Sequence, residues 1–197
     1  MAQTQPSVRN DEQIARSVQK GDKEAFGLLA EKYETKIKNY IRRFIQEQET
    51  VNDIAQNVFL KAFSHINSFN TKLKFSTWLY RIAHNELVNF LKKKKELPLL
   101  DFDVFWPRLN SGKQELEDKA EKTMLAKILE QCLEELPARY KEVIVFYYLE
   151  NMSYGEIAEI LRAPLSTVGV RLKRAKDILK KSCDNKNIWK NQQKTTA

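Results

Sequence analysis

Turn-formers and reactive side chains are scarce in this 197-residue chain, which has 5 glycines, 5 prolines, 2 cysteines and 2 histidines. So few glycines and prolines, among many Glu, Lys, Leu and Ala, favour helices. Cys132 and Cys183 lie far apart with no CxxC between them, the pattern of ordinary thiols in a reducing cytoplasm rather than of a disulfide or a metal site. His65 and His84 cannot complete a zinc site with them at any familiar spacing. No apolar run reaches about 18 residues, so no membrane span is expected. The opening Met-Ala-Gln-Thr-Gln-Pro-Ser lacks the apolar core of a signal peptide. With no Gly-rich phosphate loop and no nucleophile motif, neither an enzyme nor a cofactor or metal site is expected. These absences leave a mostly helical, cytoplasmic protein of one or two domains.

What is present begins with charge. The net +8 is unevenly spread: residues 61–95 hold 8 Lys/Arg against 1 acid, residues 96–161 hold 7 against 14, and residues 162–186 hold 8 against 2. Two basic patches flanking an acidic middle point to two nucleic-acid contact surfaces. Binding through them should weaken steeply with salt, because each phosphate contact releases counterions.

Residues 136–181 read as a helix-turn-helix. Ser153-Tyr-Gly-Glu156 is a capping box, and Ile157, Ala158, Ile160 and Leu161 follow as an apolar stripe. Arg162-Ala-Pro164 breaks the helix, since proline biases its predecessor away from the helical region. Ser166 or Thr167 is expected to cap a second helix to about Lys180, with Val168, Leu172, Ala175 and Leu179 on its buried face. Arg171, Lys173, Arg174, Lys176 and Lys180 are left for the other faces. A helical hairpin with a solvated basic face is the plainer alternative.

From Asp11 to Lys95 the pattern is helical throughout. Asp11 is expected to cap a first helix with Ile14, Ala15 and Val18 on one face, and Gly21-Asp22 to end it and cap the next. Ala25, Phe26, Leu28, Leu29, Tyr33, Ile37, Tyr40, Ile41 and Phe44 recur at spacings of three and four. A third helix is expected over 51–63, with Asn52 or Asp53 near its start, then a turn over 65–74 and a fourth helix over 76–92. About 85 residues suffice to bury a core. The fourth helix sets Phe75, Trp78 and Phe90 close to cations and amides. Such aromatics suit base stacking, which is worth roughly 1–3 kcal/mol per base, but Trp78, Leu79, Ile82 and Phe90 also fit a core. Lys92 to Lys95 are either phosphate contacts or a solvated helix end.

Four blocks, in this order, resemble the extracytoplasmic-function (group IV) sigma factors of bacterial RNA polymerase: Gly21-Asp-Lys-Glu-Ala-Phe26; Asp53-Ile-Ala-Gln56 through Phe63; Phe75-Ser-Thr-Trp78 through Asn85; and Leu136-Pro-Ala-Arg139 through the helix-turn-helix. The resemblance implies an all-α chain of two helical domains joined by a flexible linker. Residues 1–10 would be a disordered tail, 11–95 region 2, 96–122 an acidic linker, 123–183 region 4 and 184–197 a C-terminal tail. The partners implied are promoter DNA, core RNA polymerase (the clamp helices of its largest subunit and the flap of its second-largest) and an anti-sigma factor.

On this resemblance, Asp53, Gln56, Phe59, Leu60 and Lys61 would dock on the clamp, although Phe59 reads equally as core. Asn57 stands where the family usually has an acid. The 65–74 turn would capture a flipped base of the −10 element. Asn67, Ser68, Phe69 and Asn70 would shape its pocket, Lys72, Lys74 and Arg81 would hold phosphates, and Trp78 and Asn85 would contact bases. Ser166, Thr167, Arg171, Lys173, Arg174 and Lys176 would contact the −35 element. The family often has a basic residue and a serine after Thr-Val, where this chain has Gly169 and Val170. Two polar reading positions are thereby lost, and glycine costs a helix about 1 kcal/mol relative to alanine.

The linker carries an apolar patch from Leu99 to Trp106. As a coil it would span roughly 26–31 Å, and stretched about 90 Å. Promoter elements one to two turns apart lie about 35–70 Å from each other, so the linker must be partly extended. A stand-alone helix-turn-helix regulator would explain residues 136–181 but not the first three blocks.

Overall fold

The computed structural model describes residues 10–93 and 131–185. Residues 1–9 of the expected 1–10 tail, Lys94, Lys95, the 96–122 linker with its apolar patch, residues 123–130 of the expected 123–183 domain, and residues 186–197 lie outside the described residues. The described residues are all helix and turn, and they divide into two compact units.

In the first unit, α1 (Asp11–Gln19) is capped one residue earlier than expected, by Asn10. Asn10 Oδ1 accepts from the Gln13 amide at 2.8 Å and Gln13 Oε1 accepts from the Asn10 amide at 3.1 Å, a reciprocal box that leaves Asp11 free for other work. Gly21 takes a positive φ of 108° that ends the turn, a conformation glycine adopts without the Cβ clash other residues meet. Asp22 Oδ1 then accepts from Ala25 N at 3.2 Å, the anticipated start of α2 (Ala25–Arg42). On α2 the buried residues are Ala25, Phe26, Leu29, Tyr33, Ile37, Tyr40 and Ile41, one helical face. Leu28 falls off that face and is 55% exposed.

Helix α3 (Gln48–Ser64) starts three residues before the expected Val51. Asn52 and Asp53, expected near its start, lie in its second turn, where Asn52 accepts from Gln48 Nε2 at 3.1 Å on the helix surface. A 3-10 turn (Ile66–Ser68) leads into a loop and then α4 (Phe75–Lys93). Leu79, Tyr80, Ala83 and Leu87 fill the core beneath α4, while Ile82 and Phe90, expected there, are half-buried. Phe75 is the aromatic hub: its ring lies 5.7 Å from Tyr33, 5.5 Å from Phe69 and 5.7 Å from Trp78. Tilted pairs of this kind contribute about 0.5–1.5 kcal/mol each beyond area burial.

In the second unit, residues 131–134 are helical and Leu136-Pro137 leads into α5 (Ala138–Ile144). The Pro137 carbonyl opens α5 by accepting from Tyr140 and Lys141 amides at 2.8 and 3.0 Å. A π-helical turn (Val145–Leu149) follows, closed by Glu150 N donating to Val145 O at 3.0 Å. Ser153 caps α6 (Tyr154–Leu161) through the anticipated box, with Ser153 N donating to Glu156 Oε2 at 2.8 Å and Glu156 N donating to Ser153 Oγ at 3.3 Å. Arg162 ends α6 with φ 49°, a left-handed conformation that costs a non-glycine residue roughly 1–2 kcal/mol.

Helix α7 (Leu165–Asn185) outruns the expected Lys180 and the expected domain end at 183. Neither Ser166 nor Thr167 caps it. The Pro164 carbonyl opens the helix, accepting from Thr167 and Val168 amides at 2.9 and 3.2 Å, which places both hydroxyl residues inside the first turn. Val168, Leu172 and Ala175 are buried as the spacing required, and Leu179 is half-buried. Cys132 and Cys183 form no disulfide; both are buried and packed together with Leu179, although 51 positions separate them.

Candidate nucleic-acid and partner interfaces

The 65–74 segment of the first unit is held by α1. Gln19 Nε2 donates to the carbonyls of both Ile66 and Phe69 at 2.8 Å. Arg16 Nη2 donates to Thr71 Oγ1 at 3.1 Å, and Glu12 Oε1 accepts from Phe75 N at 3.0 Å. Three side chains, one and two turns apart on one helix, therefore fix the start, middle and end of the loop. α1 is itself moored to α2: Tyr33 Oη donates to Asp11 Oδ2 at 2.7 Å and Lys32 Nζ pairs with Asp11 Oδ1 at 2.6 Å. Burial, then the hydrogen bond to Asp11 and its charge, push the Tyr33 phenol far above its usual range, so it remains a donor.

On this scaffold Asn67, Ser68, Asn70, Lys72 and Lys74 are exposed. Ser68 Oγ donates to His65 O at 2.7 Å, and Asn70 Oδ1 accepts from Lys72 N at 3.0 Å, a local Asx turn. Arg81 and Asn85 are half-buried on α4. Phe69, expected to shape the pocket, and Trp78, expected either at a base or in the core, take interior places. Both are buried, with ring centroids 5.2 Å apart, and in this conformation neither offers a free face to a base. Their place beneath the loop follows from the aromatic hub at Phe75; for Trp78 it matches the core alternative, while for Phe69 sequence spacing does not reveal it.

A second surface lies between α2 and α3. Gln56, Phe59, Leu60 and Phe63 line a groove of about 650 Å³ with Phe26, Ala30, Ala55, Asn52, Glu31, Glu34 and Lys38. Leu60 is 59% exposed and Phe63 38%, an apolar strip open to solvent. Phe63 is steadied edge-on by Phe26 at 5.2 Å. Of the α3 residues named for partner docking, Gln56, Phe59 and Leu60 line the groove. Asp53 is exposed outside it, and Lys61 pairs with Glu86 of α4 at 2.6 Å. Phe59 is half-buried and serves both readings, wall of the groove and edge of the core. Phe26, Ala30 and Phe63 were missed as groove residues because each also fits a core stripe.

In the second unit, Val168, Leu172 and Ala175 turn inward, so Ser166, Val170, Lys173 and Arg174 occupy the opposite, outward face of α7. Thr167, Arg171 and Lys176 sit on the flanks; Thr167 and Arg171 are half-buried and Lys176 is exposed. Burial raises the Tyr140 phenol, but a hydrogen bond from Arg174 and the charge of Arg139 outweigh it and leave Tyr140 below its usual range. Arg139 lies 4.8 Å over the Tyr140 ring. Tyr140 thus braces Arg174 from α5, a role that sequence spacing does not show.

Among the described residues no cluster of His, Cys, Asp or Glu could hold a metal, and no helix is long and apolar enough to cross a membrane.

Comparison with known proteins agrees with this arrangement. The family model for Sigma-70 region 2 matches residues 29–96, and that for Sigma-70, region 4 matches residues 126–179. The ECF RNA polymerase sigma factor SigW of Bacillus subtilis is 35% identical over 173 residues, covering 84% of this chain and 92% of SigW. Among solved structures, CnrH in complex with the cytosolic domain of CnrY superposes with a TM-score of 0.66 at 24% identity, covering 89% of this chain and 97% of that one. The sigma factor RpoE in complex with the anti-sigma factor NepR from Bartonella quintana gives 0.60 at 19% identity, covering 81% and 96%. The two structures share the fold; the two region matches and the identity to SigW carry the relationship. The chain belongs to the sigma-70 family, among the ECF RNA polymerase sigma factors.

Proposed function

We propose that this chain is a group IV alternative sigma factor: it binds bacterial core RNA polymerase in the cytoplasm and directs initiation at promoters with a −10 and a −35 element. Residues 11–95 would serve as region 2 and residues 123–183 as region 4, with 96–122 linking them. The observation that carries this reading is the pairing in one chain of an open apolar groove on α3 with a helix-turn-helix whose outward face is cationic. A DNA-binding regulator acting alone needs the second feature and has no use for the first.

The work is done by binding. Gln56, Phe59 and Leu60 would receive a helix of the polymerase clamp in the groove, with Asp53 at its margin and Lys61 holding α3 to α4. The second unit would meet the flap. Extruding a −10 base costs a few kcal/mol, so its pocket has to be in place beforehand. The three α1 side chains supply that pre-organisation, with Asn67, Ser68 and Asn70 facing the base and Lys72, Lys74 and Arg81 facing phosphates. Phe69 and Trp78 would support the loop from inside. Lys173 and Arg174 would hold the −35 duplex, with Ser166 and Thr167 at the helix start. NepR, the anti-sigma partner of a fold neighbour, motivates the expectation of a comparable protein inhibitor here.

Reconstitution tests the proposal. Purified chain added to core RNA polymerase should form a complex and start transcription at a discrete set of promoters. Promoter DNA binding without any core complex would favour the stand-alone regulator and overturn the reading.

A further inference from the structure

The outward face of α7 has an unusual centre. Val170 is two residues from buried Val168 and from buried Leu172, which turns it about 160–200° away from the core. It is 49% exposed. Ser166 lies one turn before it, and Lys173 and Arg174 one turn after. Gly169 beside it has no side chain, and a Cβ there would lie 3.7 Å from Cε2 of Tyr154 on α6, an ordinary contact. Packing therefore does not demand glycine. Val170 is apolar where its neighbours one turn away on this face, Ser166, Lys173 and Arg174, are hydroxylic or cationic, and Leu165, 57% exposed, is a second apolar residue at the start of the helix.

A recognition helix presents residues near its N-terminus to base edges in the major groove. A valine there can neither donate nor accept a hydrogen bond. Guanine, cytosine and adenine edges set against it would lose water without gaining a partner. The C5-methyl group of thymine is the one major-groove feature that an aliphatic side chain matches. Lys173 and Arg174 bracket the same point and can hold the flanking phosphates. Asp177, one turn further on the same face, repels phosphate and confines reading to the first half of the helix.

We propose that α7 reads its −35 element through thymine methyl groups, with Val170 as the specificity-determining residue. This rests on α7 being the −35 recognition helix of a sigma factor.

The test uses the full chain bound to core RNA polymerase. A preferred −35 sequence is first selected from randomised duplexes. Each thymine in it is then replaced by deoxyuridine, which removes the methyl and nothing else. Competition binding should show a loss of about fourfold at one or two thymines, the worth of one buried methyl at about 0.8 kcal/mol. In Val170→Ala the same replacements should change binding by less than about twofold, and Val170→Arg should select a different base at that position. Equal affinity for thymine and uracil throughout, or an undiminished uracil penalty in Val170→Ala, would overturn the inference while leaving the sigma-factor reading intact. Failure to form a core complex or to select any −35 sequence would overturn both.

Discussion

The two units build their binding surfaces in different ways. The 65–74 loop is set by side chains 47 to 63 positions distant, with Gln19, Arg16 and Glu12 reaching it from α1. The helix-turn-helix is set by its near neighbours: Ser153 and Glu156 at α6, the left-handed Arg162 after it, and the Pro164 carbonyl at α7. A loop that must receive an extruded base needs a shape no local sequence imposes. A helix that lies in a groove needs only to start and stop at the right residues. The first unit should therefore lose function through distant tertiary hydrogen bonds, and the second through stability.

The largest expected effect is at the groove. Leu60→Glu removes an apolar contact worth about 1.5–3 kcal/mol and brings a carboxylate to an apolar surface. Affinity for core polymerase should fall on the order of 100-fold in a direct binding assay, with the circular dichroism spectrum unchanged because Leu60 is exposed. Retained affinity would remove the groove from the docking surface.

Next, Gln19→Leu removes the donor that the Ile66 and Phe69 carbonyls share; Ile66 O keeps the Phe69 amide, so the cost of about 1–3 kcal/mol falls on the Phe69 carbonyl. Open-complex formation on duplex promoters should drop roughly tenfold while core binding is preserved. A general loss of core binding would mark Gln19 as a fold residue and erase the contrast between the units.

Ser153→Ala should destabilise the second unit by about 1 kcal/mol through loss of the cap, read as a lower Tm, with the first unit's unfolding unaffected. The smallest effect belongs to Tyr140→Phe. It frees Arg174 from its brace and should weaken −35 binding a few-fold. A tyrosine absorbance titration should also lose a component that ionises below the ordinary phenol range of about 10.

Much of the helix pattern was legible beforehand because it is local. The stripe from Phe26 to Ile41, the Ser153 box and the inward set Val168, Leu172 and Ala175 follow from periodicity and capping chemistry. Helix starts were less legible. Asn10 displaced Asp11 because its box with Gln13 satisfies two backbone groups at once, and the Pro164 carbonyl displaced the hydroxyls of Ser166 and Thr167. The candidate sites were half legible: the exposed amides and lysines were found, but Gln19, Tyr140 and Phe63 were not.

By itself the amino-acid sequence determined the all-helical class, the two basic patches and the apolar step at Gly169 and Val170, since composition, charge and 3.6-residue periodicity require no knowledge of distant partners. Tertiary structure decided whether an aromatic faces bases or core, as for Phe69 and Trp78, which charges are already paired, as Lys61 is with Glu86, and which apolar residues form a groove. Those outcomes depend on what another helix places within about 4 Å, and one-dimensional spacing carries no such distance.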